Sequence, residues 1–267
     1  MEKLKKLQEL LKSYGKVAVA YSGGVDSSFL LKVALDTLGK ENVMGITILS
    51  SVTPKEELKE TEHFLAAMDM NHLFIKKNVF DIPGFSENPK DRCYICKYKI
   101  FEEIKSIAKQ NGIETVVDGT NADDEGDYRP GLKALKELEV VSPLKLSGMT
   151  KKEIRDLSKE LNLNTWNKPS LACLASRIPY YEEITEEKLS MVDQAEAYLR
   201  KLGFEQLRVR CHGKLARIEL VPEDMSKVFT GDFNRSIHDE MKKIGFQYVS
   251  LDLMGYRTGS MNEVLDK

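Results

Sequence analysis

An apolar run, a glycine-rich turn and a second apolar run follow one another directly in residues 17–38, and this succession constrains the fold more than any other stretch. Residues 17–21, VAVAY, predict a buried strand, and residues 29–38 carry apolar side chains at helical spacing. A strand that enters a tight turn and continues as a helix directs backbone N–H groups and the positive end of the helix dipole toward one point. The turn therefore predicts a phosphate-binding site.

The chemistry of this turn, SGGVDSS at residues 22–28, supports that prediction. Gly23 and Gly24 let the backbone approach an anion without a Cβ in the way. The hydroxyl donors of the turn are Ser22, Ser27 and Ser28. The turn is not a Walker A loop, because that motif places a lysine before the last hydroxyl and Asp26 stands there. The structural alternative is a plain tight connection, which does not require two glycines, three serines and an aspartate together.

Composition is that of an ordinary globular protein. Of the 267 residues, 42% are hydrophobic and 31% are charged, and a chain of this length predicts one large domain or two unequal ones. The 40 basic and 42 acidic residues nearly balance, which argues against a broad nucleic-acid-binding surface. No apolar run reaches the roughly 18 residues of a membrane span, and the first residues predict an amphipathic helix. We therefore expect a cytoplasmic protein without a membrane partner.

Strands and helices alternate along the first part of the chain. After the first strand, further strands are predicted at 42–49, 72–77 and 115–118. This alternation predicts an α/β domain over residues 1–185, a doubly wound parallel sheet whose ligands lie at the carboxyl ends of the strands. Residues 186–267 predict a smaller α+β domain. Its strands are expected near 206–210, 216–221 and 247–253.

The loop after the strand at 115–118 is acidic, with four aspartates in the ten positions 118–127. Because it would lie at the same sheet edge as the glycine turn, we expect it to close over a nucleotide and a metal ion. The loop residues expected at the nucleotide are Asp118, Asn121, Asp124 and Arg129. The alternative is a solvated acidic turn, because Asp, Asn and Gly favour turns for local reasons.

Seven stretches together resemble one family. They are residues 22–27, 118–124, 127–131, 148–151, 168–169, 172–179 and 216–219. The first resembles the S-G-G-x-D-S loop of the PP-loop ATP pyrophosphatases, which have the adenine nucleotide alpha-hydrolase-like fold. The set as a whole resembles the LarE family of ATP-dependent sulfur transferases, and the likeness covers nearly the whole chain. The segment around Cys173 is the most specific part of it.

The resemblance implies a reaction. PP-loop enzymes cleave ATP to AMP and pyrophosphate, and their aspartate, here Asp26, helps to hold Mg²⁺, a hard cation that prefers carboxylate oxygen. The LarE family adenylates a carboxylate of pyridinium biscarboxylic acid mononucleotide during biosynthesis of the nickel pincer cofactor. A sulfur nucleophile then displaces AMP and leaves a thiocarboxylate. Without this activation the carboxylate would have to expel an oxide-like leaving group.

The resemblance also implies roles for residues in the second half of the chain. Cys173 and Arg177 join Asp26 as catalytic residues, because an attacking thiolate needs an electropositive, partly open place. The residues implied at the mononucleotide substrate are Ser176, Glu196, Arg208, Arg210 and Glu219. Arg208 and Arg210 alternate onto one face of a predicted strand and suit a phosphate, although spacing alone fits a solvated face as well. Residues 186–267 are expected to contribute to substrate binding and to homo-oligomer formation.

The cysteines suggest how sulfur arrives. In the best-known LarE mode, the residue equivalent to Cys173 gives up its own sulfur and becomes dehydroalanine, so that Cys93 and Cys96 have no necessary role. We expect them in a loop at the same sheet edge, where Cys93, Cys96 and Cys173 would ligate a 4Fe-4S cluster, as in three-cysteine relatives. The C-x-x-C spacing alone also fits a zinc site or free thiols. Cys211 is read as a buried structural side chain.

Competing functions use the same loop. A PP-loop tRNA thiolase also uses ATP and a three-cysteine cluster, but it needs a sizeable basic surface or an RNA-binding module, and no such block is visible. An amidating PP-loop synthetase leaves the cysteines without a role. A non-enzymatic nucleotide- or metal-binding protein does not explain why ATP-cleaving and sulfur-handling features coincide. The partners expected are a mononucleotide substrate and a sulfur donor.

Overall fold

A computed structural model describes residues 2–124, 130–169, 172–257 and 259–265. The chain packs as two compact units. The first unit comprises residues 1–50, 57–82 and 91–171, and the second unit comprises residues 51–56, 83–90 and 172–267. The single domain boundary at residue 185 stays a prediction. Within the described residues, no helix is both long enough and apolar enough to cross a membrane.

The first unit is built on a four-stranded sheet. Its strands are β1 (Val17–Ala20), β2 (Val43–Leu49), β3 (Asn71–Lys76) and β4 (Thr115–Val117). They lie in the order β3-β2-β1-β4, and every neighbouring pair is parallel. The helices of this unit are α1 (Glu2–Tyr14), α2 (Val25–Leu38), α3 (Lys55–Ala66, of which the first two residues are counted with the second unit), α4 (Arg92–Gln110), α5 (Pro130–Glu137), α6 (Pro143–Leu146) and α7 (Lys151–Glu160). The predicted parallel α/β sheet is confirmed.

Strand β1 shows why helices cover both faces of this sheet. Val17 and Val19 point into one apolar cluster, which includes Leu7 and Leu11 of α1 and Phe29 of α2. Ala18 points the other way, into a cluster whose helical members come from α4 and α5. Because successive side chains of a strand alternate between faces, a run without polar positions is buried only between two helical layers.

The second unit is an α+β layer. Its strands are β5 (Leu207–His212), β6 (Leu215–Leu220) and β7 (Tyr248–Leu251). Strands β5 and β6 pair antiparallel and β6 and β7 pair parallel. The helices are α8 (Glu186–Lys201), α9 (Pro222–Met225) and α10 (Phe233–Ile244), of which α8 begins at Thr185, whose side chain accepts a hydrogen bond from the Lys188 N–H. The three strands lie within about two residues of the positions predicted from the sequence.

One prediction about local structure is wrong. Cys93 and Cys96 were expected in a loop, but α4 begins at Arg92, so both lie within its first five residues. The N–H groups of Tyr94 and Ile95 donate to the Asp91 carbonyl at 2.8 and 3.1 Å, which closes the first turn of the helix. Nothing between Arg92 and Tyr98 disfavours a helix, since the segment contains neither proline nor glycine.

Candidate functional site

Residues 22–28, here named the phosphate loop, lead from β1 into the first turn of α2, and their own hydroxyl groups shape the loop. Ser27 Oγ lies 3.1 Å from Ser22 Oγ, accepts from the Ser22 N–H at 3.3 Å and donates to the Gly24 carbonyl at 3.1 Å. Ser28 Oγ lies 3.2 Å from the Tyr21 hydroxyl. Ser27 and Ser28 are buried, whereas Ser22 is exposed. Two of the three predicted hydroxyl donors therefore support the loop from within, and Ser22 is open to a ligand.

Position 23 requires glycine for two reasons, its backbone conformation and the closeness of a neighbouring side chain. Its φ of +78° is left-handed, and a Cβ there would collide with Thr61 Oγ1 on α3. Gly119, which follows β4, has a similar constraint, because a Cβ would lie 2.9 Å from the Ser27 backbone nitrogen. The loop after β4 therefore packs directly on the phosphate loop. This close approach was not predicted from the sequence.

Asp26 is the carboxylate of the loop, and it meets two other elements. Its Oδ1 accepts from the Asn121 side-chain amide at 3.3 Å, and its Oδ2 forms an ion pair with Lys151, the first residue of α7. The Lys151 N–H donates to Asp123 at 2.8 Å. The structure thus brings Asp26 and Asn121, two of the residues expected at the nucleotide, together at the carboxyl edge of the sheet. It adds Lys151.

Lys151 was missed as a site residue although the sequence carried a signal for its position. Thr150 and Glu153, which have the spacing of a capping box in the sequence, form one in the structure: the Thr150 side chain accepts from the Glu153 N–H and the Glu153 side chain accepts from the Thr150 N–H. A capping box fixes where a helix begins and therefore which residue is first. The pKa of Glu153 falls to about 2 because it accepts hydrogen bonds from Lys3 and from Thr150.

Two further acidic residues of this loop that the structure describes, Asp118 and Asp124, have partners within the protein. Asp118 is buried and accepts hydrogen bonds from Thr120 and, at 2.6 Å, from Ser142. Asp124 accepts from the Asn121 N–H at 2.9 Å and so shapes the turn. Arg129, also expected at the nucleotide, lies outside the described residues. Nucleotide contacts of Asp118, Asp124 and Arg129 stay predictions.

Cys93 and Cys96 lie one turn apart at the start of α4, the first exposed and the second partly exposed. Lys97 of the same turn approaches Asp118, with its Nζ 3.8 Å from Oδ2, which places this helix end near the end of β4. In the part of the chain that the structure describes, no three His, Cys, Asp or Glu side chains form a group that could hold a metal ion. Two thiols in one helical turn nevertheless have the soft donor chemistry that iron–sulfur clusters use.

Cys173 lies in the second unit, just before a short 3-10 turn, Leu174–Arg177, and it is exposed. Arg177 is fully buried and organises this turn. Its Nη1 donates to the carbonyls of Ala172 and Cys173, the latter at 3.0 Å, and to Ser176 Oγ at 2.9 Å. The structure therefore brings Cys173, Ser176 and Arg177 together, with the guanidinium bonded to the backbone carbonyl of Cys173.

Glu196 of α8 anchors Arg177 from the other side. Its two oxygens accept from Arg177 Nε and Nη2 at 2.8 and 2.9 Å, and Arg200 donates to it at 2.9 Å. Burial alone would raise the pKa of this carboxyl, but the neighbouring Arg177, Arg208 and Arg200 outweigh burial and lower it. Burial and the nearby Arg177 lower the pKa of Arg208 to about 10.

A second buried pair lies across β5 and β6. Arg210 donates to both oxygens of Glu219 at 2.9 and 2.8 Å, to the Ser176 carbonyl at 2.8 Å and to Ser260 at 2.8 Å. Arg208 stacks on Tyr256, with its guanidinium 5.2 Å from the ring centre. Arg208 and Arg210 do share one strand face, and both are buried. Contacts of Arg208, Arg210, Glu196 and Glu219 with substrate stay predictions.

The comparisons with known proteins agree with these features. The NAD synthase family model matches residues 2–111. An uncharacterised protein of Synechocystis sp. is 41% identical over 265 residues, 99% of this chain and 98% of that protein. Pyridinium-3,5-bisthiocarboxylic acid mononucleotide synthase of Lactiplantibacillus plantarum is 38% identical over 257 residues, 96% and 92% of the two chains. A glutamine-hydrolysing GMP synthase component of Thermoplasma volcanium is 32% identical over 196 residues, 67% and 61% of the two chains.

The part of the chain that each match covers shows which match indicates the superfamily and which indicates the family. The NAD synthase model spans the phosphate loop and strands β1 to β3 but ends before Cys173. The synthase of L. plantarum aligns with nearly the whole of both units. The resemblances to PP-loop enzymes and to the LarE family are therefore confirmed. With its phosphate loop, its exposed cysteine and this full-length match, the chain belongs to the LarE family of PP-loop, ATP-dependent sulfur transferases.

Proposed function

We propose that the chain uses ATP and Mg²⁺ to adenylate a carboxylate of pyridinium-3,5-biscarboxylic acid mononucleotide and then converts it to a thiocarboxylate. The observation that supports this most is the presence in one chain of a lysine-free phosphate loop with Asp26 and an exposed Cys173 whose backbone is held by a buried arginine. The product class follows the name of the relative from L. plantarum. Neither feature alone would select this reaction.

In the first half-reaction, a substrate carboxylate oxygen attacks the α-phosphorus of ATP, and pyrophosphate leaves. The N-terminus of α2 and Ser22 would bind the departing phosphates through N–H and O–H donors. Asp26 would hold Mg²⁺, which when bound neutralises charge on the phosphates. Lys151 balances the Asp26 carboxylate in the structure and would supply a second cation at the same place.

The mononucleotide carries a phosphate, and we propose that Arg208 and Arg210 bind it. The support is electrostatic. Arg208 is buried beside another guanidinium, which lowers its pKa to about 10, and a bound phosphate would offset that repulsion. Arg210 keeps its Glu219 pair, whose geometry holds the guanidinium in one orientation. Ser176, held by Arg177 and by Arg210, would line the same site.

In the second half-reaction, a sulfur nucleophile attacks the acyl carbon and AMP leaves. Cys173 is the exposed thiol of the second unit, and Arg177 fixes the backbone that carries it. We propose that Cys93, Cys96 and Cys173 would hold a 4Fe-4S cluster, which when bound would supply the sulfide for the transfer. Cys173 would then act as a ligand and would not be consumed, and an external sulfur donor would be needed for further turnovers.

Pyrophosphate release tests the adenylation. We expect release with ATP and Mg²⁺ to rise when the pyridinium mononucleotide is added and to stay at its basal rate with tRNA or with ammonia. Stimulation by tRNA would instead indicate a tRNA thiolase, and dependence on ammonia would indicate an amidating synthetase. Asp26→Asn should abolish the stimulated rate. Asp36→Asn, at an exposed carboxylate of α2 paired with Lys32, is the matched control and should leave it unchanged.

Iron and sulfide content tests the cluster. We expect protein purified without oxygen to contain iron and acid-labile sulfide, and Cys93→Ser or Cys96→Ser to lose both. Cys211→Ala removes a buried cysteine and should keep them. If the purified protein contains zinc and no acid-labile sulfide, the cysteines form a zinc site and the cluster proposal is wrong. Turnover in which Cys173 loses the mass of hydrogen sulfide would show instead that this residue gives up its own sulfur.

We also propose that the chain forms a homo-oligomer through residues 186–267. Large apolar side chains of this region are exposed at Phe229 (69%), Tyr248 (69%), Leu253 (90%) and Met254 (68%). Exposed apolar side chains of this size are expected at protein interfaces. Light scattering after size exclusion should give a mass above that of one 30.3 kDa chain. Leu253→Asp should lower that mass if this region forms the interface.

A further inference from the structure

Lys168 touches the phosphate loop from outside. It follows α7 and its Nζ lies 3.2 Å from the Gly23 carbonyl oxygen. The same ammonium group pairs with Glu57 at 2.7 Å and with Glu60 at 2.9 Å, both on α3. Only 11% of the Lys168 side chain is exposed. A nearly buried cation on a loop carbonyl is unexplained by the reaction derived above.

The Gly23 carbonyl and the Gly24 N–H belong to one peptide group. That peptide is trans, as are all described peptide bonds, so the two bonds point in opposite directions. A cation on the carbonyl oxygen fixes the plane of the peptide and draws electron density toward oxygen, which strengthens the N–H as a donor. Gly24 is the N-cap of α2, where donors face an incoming phosphate. Lys168 therefore acts on the donor side of the loop through the peptide.

Glu57 makes the charge of Lys168 necessary. One Glu57 oxygen would lie 3.9 Å from a Cβ placed on Gly23, so this carboxylate is adjacent to the loop. Its side chain is 12% exposed, so water screens it poorly. A negative charge at that position would repel a polyphosphate. Paired with Lys168, it instead holds the ammonium group against the loop.

The backbone around Lys168 is anchored independently. Arg155 of α7 donates to the carbonyls of Trp166 and Lys168, both at 2.7 Å. The Lys168 N–H donates to the Thr165 carbonyl at 3.0 Å. These bonds fix where the Lys168 side chain begins, so its reach to Gly23 is set by the fold and does not depend on a ligand.

We propose that Lys168 is a positioning residue for ATP. It orients and polarises the Gly23–Gly24 peptide and neutralises Glu57, and it does not itself touch the phosphates. The proposal rests on the proposed use of ATP by this loop. It differs from a direct phosphate contact in one respect: part of the loss on removing Lys168 comes from the carboxylate that is left behind.

The test is equilibrium binding of a non-hydrolysable ATP analogue with Mg²⁺, without the second substrate. We expect Lys168→Met to weaken binding by about 10- to 100-fold. We expect Glu57→Gln in that background to recover at least about 3-fold, and Lys168→Arg to retain most of the affinity. Lys159→Met removes an exposed cation that stacks on Trp166 in the same region and should bind like the wild type.

Several outcomes overturn the proposal. If Lys168→Met binds like the wild type, the contact has no role. If the double variant binds no better than Lys168→Met, the lysine acts on the phosphates directly. Thermal unfolding of each variant separates misfolding from lost affinity. If Lys168→Met does not fold, the double variant, in which the Glu57 charge is also removed, is compared with the Glu57→Gln single variant to show whether Lys168 affects binding. If the wild type itself fails to bind the analogue, the proposed use of ATP fails instead.

Discussion

The charged side chains of the two candidate sites differ in how deeply they are buried. In the first, the phosphate loop offers backbone N–H groups and hydroxyls, and its one carboxylate, Asp26, is paired with a lysine on a partly exposed surface. In the second, guanidinium and carboxylate groups are buried together, as in Arg177 with Glu196 and Arg210 with Glu219. Buried charges cost several kcal/mol of desolvation per ion unless fully paired. The buried pairs of the second unit should therefore tolerate fewer changes in charge than the partly exposed Asp26 pair of the first unit.

The largest effect is expected at Arg177. Arg177→Met leaves the buried Glu196 carboxylate with fewer partners and releases the backbone of Cys173, so we expect a loss of about 3 kcal/mol in the free energy of unfolding. Arg200→Met is the matched control, because Arg200 pairs with the same carboxylate but is 23% exposed. It should cost about 1 kcal/mol or less. Urea unfolding followed by circular dichroism measures both, and equal losses would show that burial of the arginine does not set the cost in this unit.

The next effect is expected at Gly23. Gly23→Ala places a Cβ against Thr61 and strains a left-handed backbone, so we expect ATP affinity to fall by about 100-fold, or roughly 2.7 kcal/mol. Adding Thr61→Ala relieves the contact but not the backbone strain, so only part of the affinity should return. Calorimetric titration with an ATP analogue measures each step. An unchanged affinity in Gly23→Ala would show that the loop is not the nucleotide site.

A smaller loss of stability is expected on mild acidification, and we expect it to arise in the first unit. Burial lowers the pKa of His72 to about 4. The unfolded chain therefore binds more protons than the folded chain between about pH 6.5 and 4, and stability falls as pH falls through that window. Allowing for the partial exposure of the ring, we expect a loss of about 1–2 kcal/mol from pH 7 to 5. In contrast, the pKa of the Glu196 carboxyl is lowered. Its contribution to stability is therefore present at any pH above its ordinary pKa and is lost only at lower pH.

The single tryptophan makes this measurable, because Trp166 lies in the first unit. Urea unfolding followed by its fluorescence should show the pH dependence, and His72→Gln should weaken it. The ring nitrogen Nε2 lies 3.1 Å from Thr47 Oγ1, and the Thr47 hydroxyl also donates to the Tyr21 carbonyl, so glutamine can replace the donor. A pH dependence that survives the substitution would assign it to another group.

The smallest effect is expected at the cap of α7. Thr150→Ala removes the side-chain acceptor for the Glu153 N–H and should cost about 1 kcal/mol of stability. Because Lys151 follows the cap directly, ATP affinity should also fall by a few fold. Thr185→Ala, at the corresponding cap of α8 in the second unit, should cost similar stability but leave ATP affinity unchanged. Thermal unfolding and analogue binding measure the two quantities separately.

The same contrast explains what could be predicted from the sequence. The phosphate loop is local: its glycines, serines and Asp26 are consecutive, and their strand and helix are adjacent in the chain. The loop after β4 could be placed because parallel strands present their carboxyl ends together. Asn121 was found in this way. Lys151 was missed because the capping box marks a helix start but not what the first side chain meets.

The buried pairs could not be derived from spacing. Arg177 and Glu196 are 19 residues apart, and Arg210 pairs with Glu219 only because β5 and β6 are antiparallel in one register. Family resemblance named all four residues, but it did not predict that they bind one another. The start of α4 was missed for a different reason. A cysteine pair suggests a metal-binding loop, whereas the helix depends on backbone bonds that cysteine does not disturb.

The division of the chain has a consequence for its synthesis. Residues 51–56 and 83–90 leave the ribosome early, yet their unit is completed only by residues 172–267. The first unit has all of its own residues once residue 171 has been made, while the two short segments still lack their partners. The second unit should therefore form last, after closing long loops in the chain. For the same reason, no single cut yields both units intact, and truncated forms meant to isolate either one would need their segments rejoined.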